Sequence, residues 1–135
     1  MKKLLIACTC VLAGGTVVAE NLDGVDRMIC SAAQAQICLE TAECYAATPW
    51  ELSVPDFVVI DTKKKTISTT KASGLNRSTK FSKVEKSEGL IYLQGIDSGR
   101  AFSFVIDEIT GRMTVAVSRD GLSVTVFGAC TDTDI

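Results

Sequence analysis

The chain has 135 residues, with 14 lysines and arginines against 16 aspartates and glutamates, a formal charge of −2, and no histidine. Without histidine, the usual catalytic triads and the imidazole ligands common at zinc and copper sites are excluded. Without a basic excess there is no electrostatic footprint for nucleic acid or an anionic membrane surface.

The N-terminus has the order of a secretory signal peptide. Lys2 and Lys3 precede the apolar run from Leu4 to Leu12, and small residues lead up to Val17-Val18-Ala19, which places cleavage before Glu20. The run is too short to span a bilayer, which takes about 20 apolar residues, so no stable membrane span is expected once residues 1–19 are removed. Cys8 follows Leu5-Ile6-Ala7, a loose imitation of a lipidation box, but cleavage there would leave the signal almost no apolar core. The expected organisation is therefore a signal peptide at 1–19 and one small domain at 20–135, periplasmic or secreted. Loss of Lys2 and Lys3 leaves 12 basic against 16 acidic residues, a net charge of −4.

Cys8 and Cys10 would leave with the signal, and Cys30, Cys38, Cys44 and Cys130 would remain, an even number on an export route that permits disulfides. Four cysteines allow three connectivities, and each places at least one bridge among Cys30, Cys38 and Cys44. That conflicts with local propensity. From Asp26 to Ala47 the chain is rich in Ala, Gln, Leu and Glu, and Met28, Ala32, Ala35, Leu39 and Ala42 recur at helical spacing. In a straight helix, residues 6, 8 or 14 apart rise about 9, 12 or 21 Å, whereas bridged α-carbons lie within about 7 Å. An unbroken helix from Cys30 to Cys44 is incompatible with two bridges. The favoured pairing is Cys38 with Cys44 across a turn at Glu40 to Glu43, and Cys30 with Cys130 joining the two ends of the domain.

From Pro55 onward the pattern is one of strands and turns. Asp56 to Asp61 is β-rich. Lys63-Lys64-Lys65 makes a solvated turn, Thr66 to Thr70 a partly exposed strand, and Ala72 to Ser78 a loop. A strand follows from about Thr79 to Glu85, then Leu90 to Gly95, with a turn at Asp97-Ser98-Gly99. Phe102, Phe104 and Ile106 share a face, as do Met113, Val115 and Val117, and the Asp120-Gly121 turn leads to Leu122, Val124 and Val126. The expected fold is all-β: an antiparallel meander of about seven or eight strands, barrel-like or folded as two packed sheets, stabilised by disulfides. The barrel-like form is favoured because closure removes exposed edges and gives the Cys30 to Cys130 bridge a natural place where first and last strands meet.

Several of these segments resemble a group of small exported bacterial proteins with no assigned activity. They are the cysteine cluster near the mature N-terminus, Pro55 to Asp61 as Pro-x-Phe-x-x-Ile-Asp, and Leu93-Gln94-Gly95. Val105-Ile106-Asp107 with Thr110-Gly111-Arg112-Met113, and the closing Phe127-Gly128-Ala129-Cys130, complete the likeness. The resemblance implies export and an all-β domain, and brings neither substrate nor catalytic residues.

Motifs for chemistry are weak. Ser68-Thr69-Thr70-Lys71 has the Ser-x-x-Lys spacing of penicillin-binding enzymes, but it lies in a strand-like stretch without companion motifs. Asp61, Asp97 and Asp107 could supply a carboxylate pair or oxygen ligands, yet each stands at a predicted turn, where aspartate serves the backbone. Asn76-Arg77-Ser78 is a formal glycosylation sequon of no weight in a bacterial product. Tyr45, Trp50 and Phe57, gathered around Pro49 and Pro55, form a possible binding surface. The expectation is a non-catalytic binding protein without cofactor or metal, whose partner is an unknown envelope or extracellular ligand: a protein, a glycan or a small apolar molecule. The alternatives are a structural or assembly protein of the envelope and a carboxylate-dependent hydrolase.

Overall fold

A computed structural model describes residues 21–41 and 43–133. The expected signal peptide, with Cys8 and Cys10, lies outside the described residues. Ten strands run in chain order: β1 (Arg27–Leu39), β2 (Cys44–Ala47), β3 (Phe57–Asp61), β4 (Thr66–Thr69), β5 (Ser78–Lys80), β6 (Lys83–Ser87), β7 (Leu90–Asp97), β8 (Arg100–Asp107), β9 (Arg112–Arg119) and β10 (Leu122–Asp132). Single 3-10 turns occupy Pro49–Leu52 and Lys71–Ser73. All strand pairs are antiparallel and belong to one sheet in the order β5-β4-β3-β1-β10-β9-β8-β7-β6, with β2 also against β1. The sheet curls into a half-barrel; the barrel-like expectation holds, and two stacked sheets do not form.

The strand count exceeds the expected seven or eight mainly because the stretch at Thr79 to Glu85 is a bent strand in two parts. β5 bonds to β4 and β6 to β7. At the bend the Phe81 amide donates to Lys65 O at 3.0 Å and the Ser82 amide to Gln94 O at 2.9 Å, so this stretch touches both ends of the sheet. The buried Phe81 side chain fixes the corner.

β1 explains why the N-terminal region imitates a helix. Against β10 its register slips between Ala32 and Gln34, a β-bulge that leaves Ala33 unpaired. Met28, Cys30 and Ala32 face inward before the bulge; Ala35, Ile37 and Leu39 do so after it. Two period-two runs offset by one residue generate the spacing of four, three and four at Met28, Ala32, Ala35 and Leu39. Gly128 on β10 pairs with Ala32 here, and a side chain on it would collide with the Ser31 carbonyl. The backbones approach too closely for anything larger than glycine.

Both favoured disulfides are present. Cys30 and Cys130 are register partners on β1 and β10 and are bonded to each other, as are Cys38 and Cys44 on β1 and β2. The first spans 100 residues of chain; the second ties β1 to β2, where the Leu39 amide donates to Glu43 O at 2.8 Å.

Leu22, Met28, Ile60, Ile91, Leu93 and Ile106 are sealed from solvent and fill one end of the half-barrel. The N-terminal segment helps to plug this end: the Leu22 amide donates to Glu108 O at 2.6 Å, and the Thr62 amide to Asp26 O at 2.8 Å. The lysine run is the β3–β4 turn, with Lys65 at φ 55° and Lys63 Nζ 3.0 Å from Asp26 Oδ2.

Candidate functional site

The inner face of the sheet is built in rows, because directly paired residues of antiparallel strands point to the same side. Leu93, Phe104, Val115, Val126 and Ala35 form one row across β7, β8, β9, β10 and β1, and all five are buried. The next row is Gly95, Phe102, Val117, Val124 and Ile37. Here Phe102, Val117 and Val124 are only partly buried. Gly95 makes room for the Phe102 ring, since a Cβ on it would run into that ring and into the Phe81 backbone. One step further, the same inner face carries Asp97, Arg100, Arg119 and Leu122 at the strand ends, and the three charged residues are exposed. Burial falls along the rows from the plugged end to an open one.

At the open end lies a cavity of about 460 Å³, within the range of roughly 300–1,000 Å³ typical of small-molecule sites. Its floor includes Cys30, Phe104, Met113 and Val126. Its walls are Ile37, Val58, Ile67, Phe102, Val117 and Val124, and Leu52, Val54 and Pro55 cover one side. The cover is held by the 3-10 turn, where the Thr48 amide donates to Glu51 Oε2 at 2.8 Å and Ser53 turns the chain at φ 57°. That hydrogen bond holds the Glu51 carboxyl below its usual range. Arg77, Thr79, Asp97, Arg100 and Arg119 surround the mouth. Arg77 Nη1 donates to Ser53 O at 3.2 Å, tying the 70–77 loop to the cover, and Thr79 Oγ1 donates to Asp97 Oδ2 at 3.2 Å.

No protein-family profile, curated protein or solved structure matches this chain.

The aromatic residues expected as a binding surface do not line the cavity. Tyr45, Trp50 and Phe57 are 49%, 70% and 51% exposed, and register sets Tyr45 beside the inward Ile37 but Phe57 beside Ser31, on the outer face. Tyr45 and Phe57 therefore do not share a face of the sheet. The aspartates are also dispersed. Asp97 and Asp107 stand at opposite ends of β7–β8, seven residues of β8 apart in register, or roughly 20 Å. A glycosidase-type carboxylate pair needs about 5 to 9.5 Å. Asp107 Oδ1 accepts the amides of Thr110 and Ile109 at 2.9 and 2.8 Å, and these bonds hold its pKa below the usual carboxylate value. Asp61 Oδ1 accepts the Lys64 amide at 2.9 Å. Ser68 lies on extended β4, so the helical geometry that would bring Lys71 to its hydroxyl is missing. Among the described residues no cluster of cysteine and carboxylate side chains is arranged to hold a metal ion.

The cavity residues escaped notice in the sequence because they come from nearly every strand and from the 52–55 segment. A local signal does exist at its mouth. The alternations Ile106-Phe104-Phe102 and Met113-Val115-Val117 each continue, on the same face, into an arginine: Arg100 and Arg119.

Proposed function

We propose that this chain is an exported, disulfide-stabilised binding protein of the periplasm or extracellular space, which holds a small apolar ligand in the half-barrel cavity and performs no chemistry on it. The carrying observation is the 460 Å³ cavity itself, walled by aliphatic and phenylalanine side chains and open at one end. Apolar area of that kind in contact with water is a standing cost of about 25 cal/mol per Å², which a ligand removes on entry. Two disulfides support a compartment that permits them, and the order of residues 1–19 supports export.

The test is fluorescence titration with the neutral dye N-phenyl-1-naphthylamine, comparing wild type with Val117→Phe/Val124→Phe. These two side chains are register partners on the cavity wall, and larger rings there occupy the space of the ligand. Saturable enhancement with wild type and its loss in the double variant, at a thermal midpoint no lower than wild type, is the expected result. Absence of saturable binding to wild type would remove the reading.

A further inference from the structure

The cavity is apolar within and cationic at its mouth. Three arginines, Arg77, Arg100 and Arg119, face a single carboxylate, Asp97, in a chain whose overall charge is negative. On the reading that the cavity is the binding site, we infer that its ligand is a single-chain amphiphile with a carboxylate head, the apolar chain lying along Phe102, Val117 and Val124 and the head held by Arg100 and Arg119.

Register is the second support. The β8–β9 pairing ends at Ala101 with Ser118, so the next residues outward, Arg100 and Arg119, stand opposite each other on the same face. Like charges directly across a strand pair are destabilising. Among the described residues neither guanidinium of this pair has a carboxylate oxygen within 4.0 Å. Asp97, the register partner of Arg100, accepts a hydrogen bond from Thr79 Oγ1 at its Oδ2 instead. An anion placed between the two arginines removes the repulsion. Guanidinium groups offer planar paired donors that fit a carboxylate, which a neutral or cationic head would not exploit. A free small anion would leave the apolar cavity unfilled, and a neutral hydrocarbon would leave the arginines opposed. The carboxylate amphiphile satisfies both.

The experiment is displacement of N-phenyl-1-naphthylamine by three amphiphiles of equal chain length, dodecanoate, dodecanol and dodecylammonium, each below its micellar concentration. Wild type is compared with Arg100→Gln/Arg119→Gln, and with Arg112→Gln as a control at the plugged end of β9. Dodecanoate is expected to bind wild type and the control at least about tenfold more tightly than dodecanol, the size of one or two charge-assisted hydrogen bonds, with dodecylammonium weakest. In the double variant the dye still binds and the carboxylate preference shrinks to within about twofold. Equal affinity of dodecanoate and dodecanol for wild type, or a preference that survives the double replacement, overturns this inference and leaves the apolar-ligand reading standing. Failure of the dye and all three amphiphiles overturns both. The wild-type series decides the head-group question even if the double variant does not fold, and removal of the opposed charges is expected to leave its thermal midpoint equal or raised.

Discussion

Asp107 shows how a residue that looks catalytic on paper is used by the backbone. Its carboxylate caps the turn between β8 and β9 by accepting the amides of Thr110 and Ile109, and this is the main reason its pKa lies below the ordinary value. A carboxylate held below its unfolded value stabilises the fold above about pH 4, and that contribution is lost as pH falls through the folded value. Stability should therefore decline from about pH 4 downward. Asp107→Asn should show a shallower decline by chemical denaturation at pH 5, 4 and 3, because an amide can still accept the bonds but does not titrate. Asp26 is lowered in the same direction, chiefly by its bond to Lys63, so part of the decline should survive in the variant. An unchanged slope in Asp107→Asn would mean the turn draws nothing from the charge. The turn role of Asp61 and Asp107 was legible from the sequence, because short acidic side chains at turns accept nearby amides; Asp97 instead accepts from Thr79 Oγ1, 18 residues away. The clustering of Arg77, Arg100 and Arg119 was not, since their sequence separation conceals that the curled sheet points all three at one opening.

At the scale of elements, β1 is the instructive case. Its residues have helical propensity and helical spacing, yet they form a 13-residue strand. Propensities among ordinary residues differ by only tenths of a kcal/mol each, and two disulfides plus burial against β10, β3 and β2 outweigh them. The cysteine geometry was sufficient to reject the helix, whereas the bulge at Ala33 depends on where β10 lies and has no signature of its own. Deleting Ala33 would remove the bulge and merge the two inward runs of β1 into one unbroken alternation, with Ala35 and Ile37 still inward opposite Val126 and Val124. A cooperative unfolding transition, followed by far-ultraviolet circular dichroism, and dye binding are both expected to persist. Loss of the cooperative transition in the deletion variant would show that the bend made by the bulge is itself required for the curl of the sheet. The hairpins from β7 to β10 were the most legible elements, because alternation and tight turns are local properties. The split of β5 from β6 was not, because Phe81 and Ser82 bend only where the two ends of the sheet meet.

Across the whole molecule, the Cys30–Cys130 bridge joins the first strand to the last and encloses nearly all of the described chain. For a loop of about 100 residues the chain-entropy treatment gives about 4.7 kcal/mol of stabilisation. Cys30→Ala/Cys130→Ala should therefore unfold at markedly lower denaturant than wild type under oxidising conditions, and excess reductant should narrow the gap between them by lowering wild type. Coincident transitions without reductant would mean that the bridge adds nothing beyond the packing of β1 on β10. Composition, cysteine spacing and strand alternation together were enough for an all-β domain, for the presence of two disulfides without fixing their pairing, and for most of the turns. Each of these follows from covalent geometry or from which residues of a short segment share a face. The curl of the sheet, the row order of its inner face and the opening ringed by arginines belong to the tertiary structure alone. A cavity is the space left between strands far apart in the chain, and it exists only once long-range pairing has set their register.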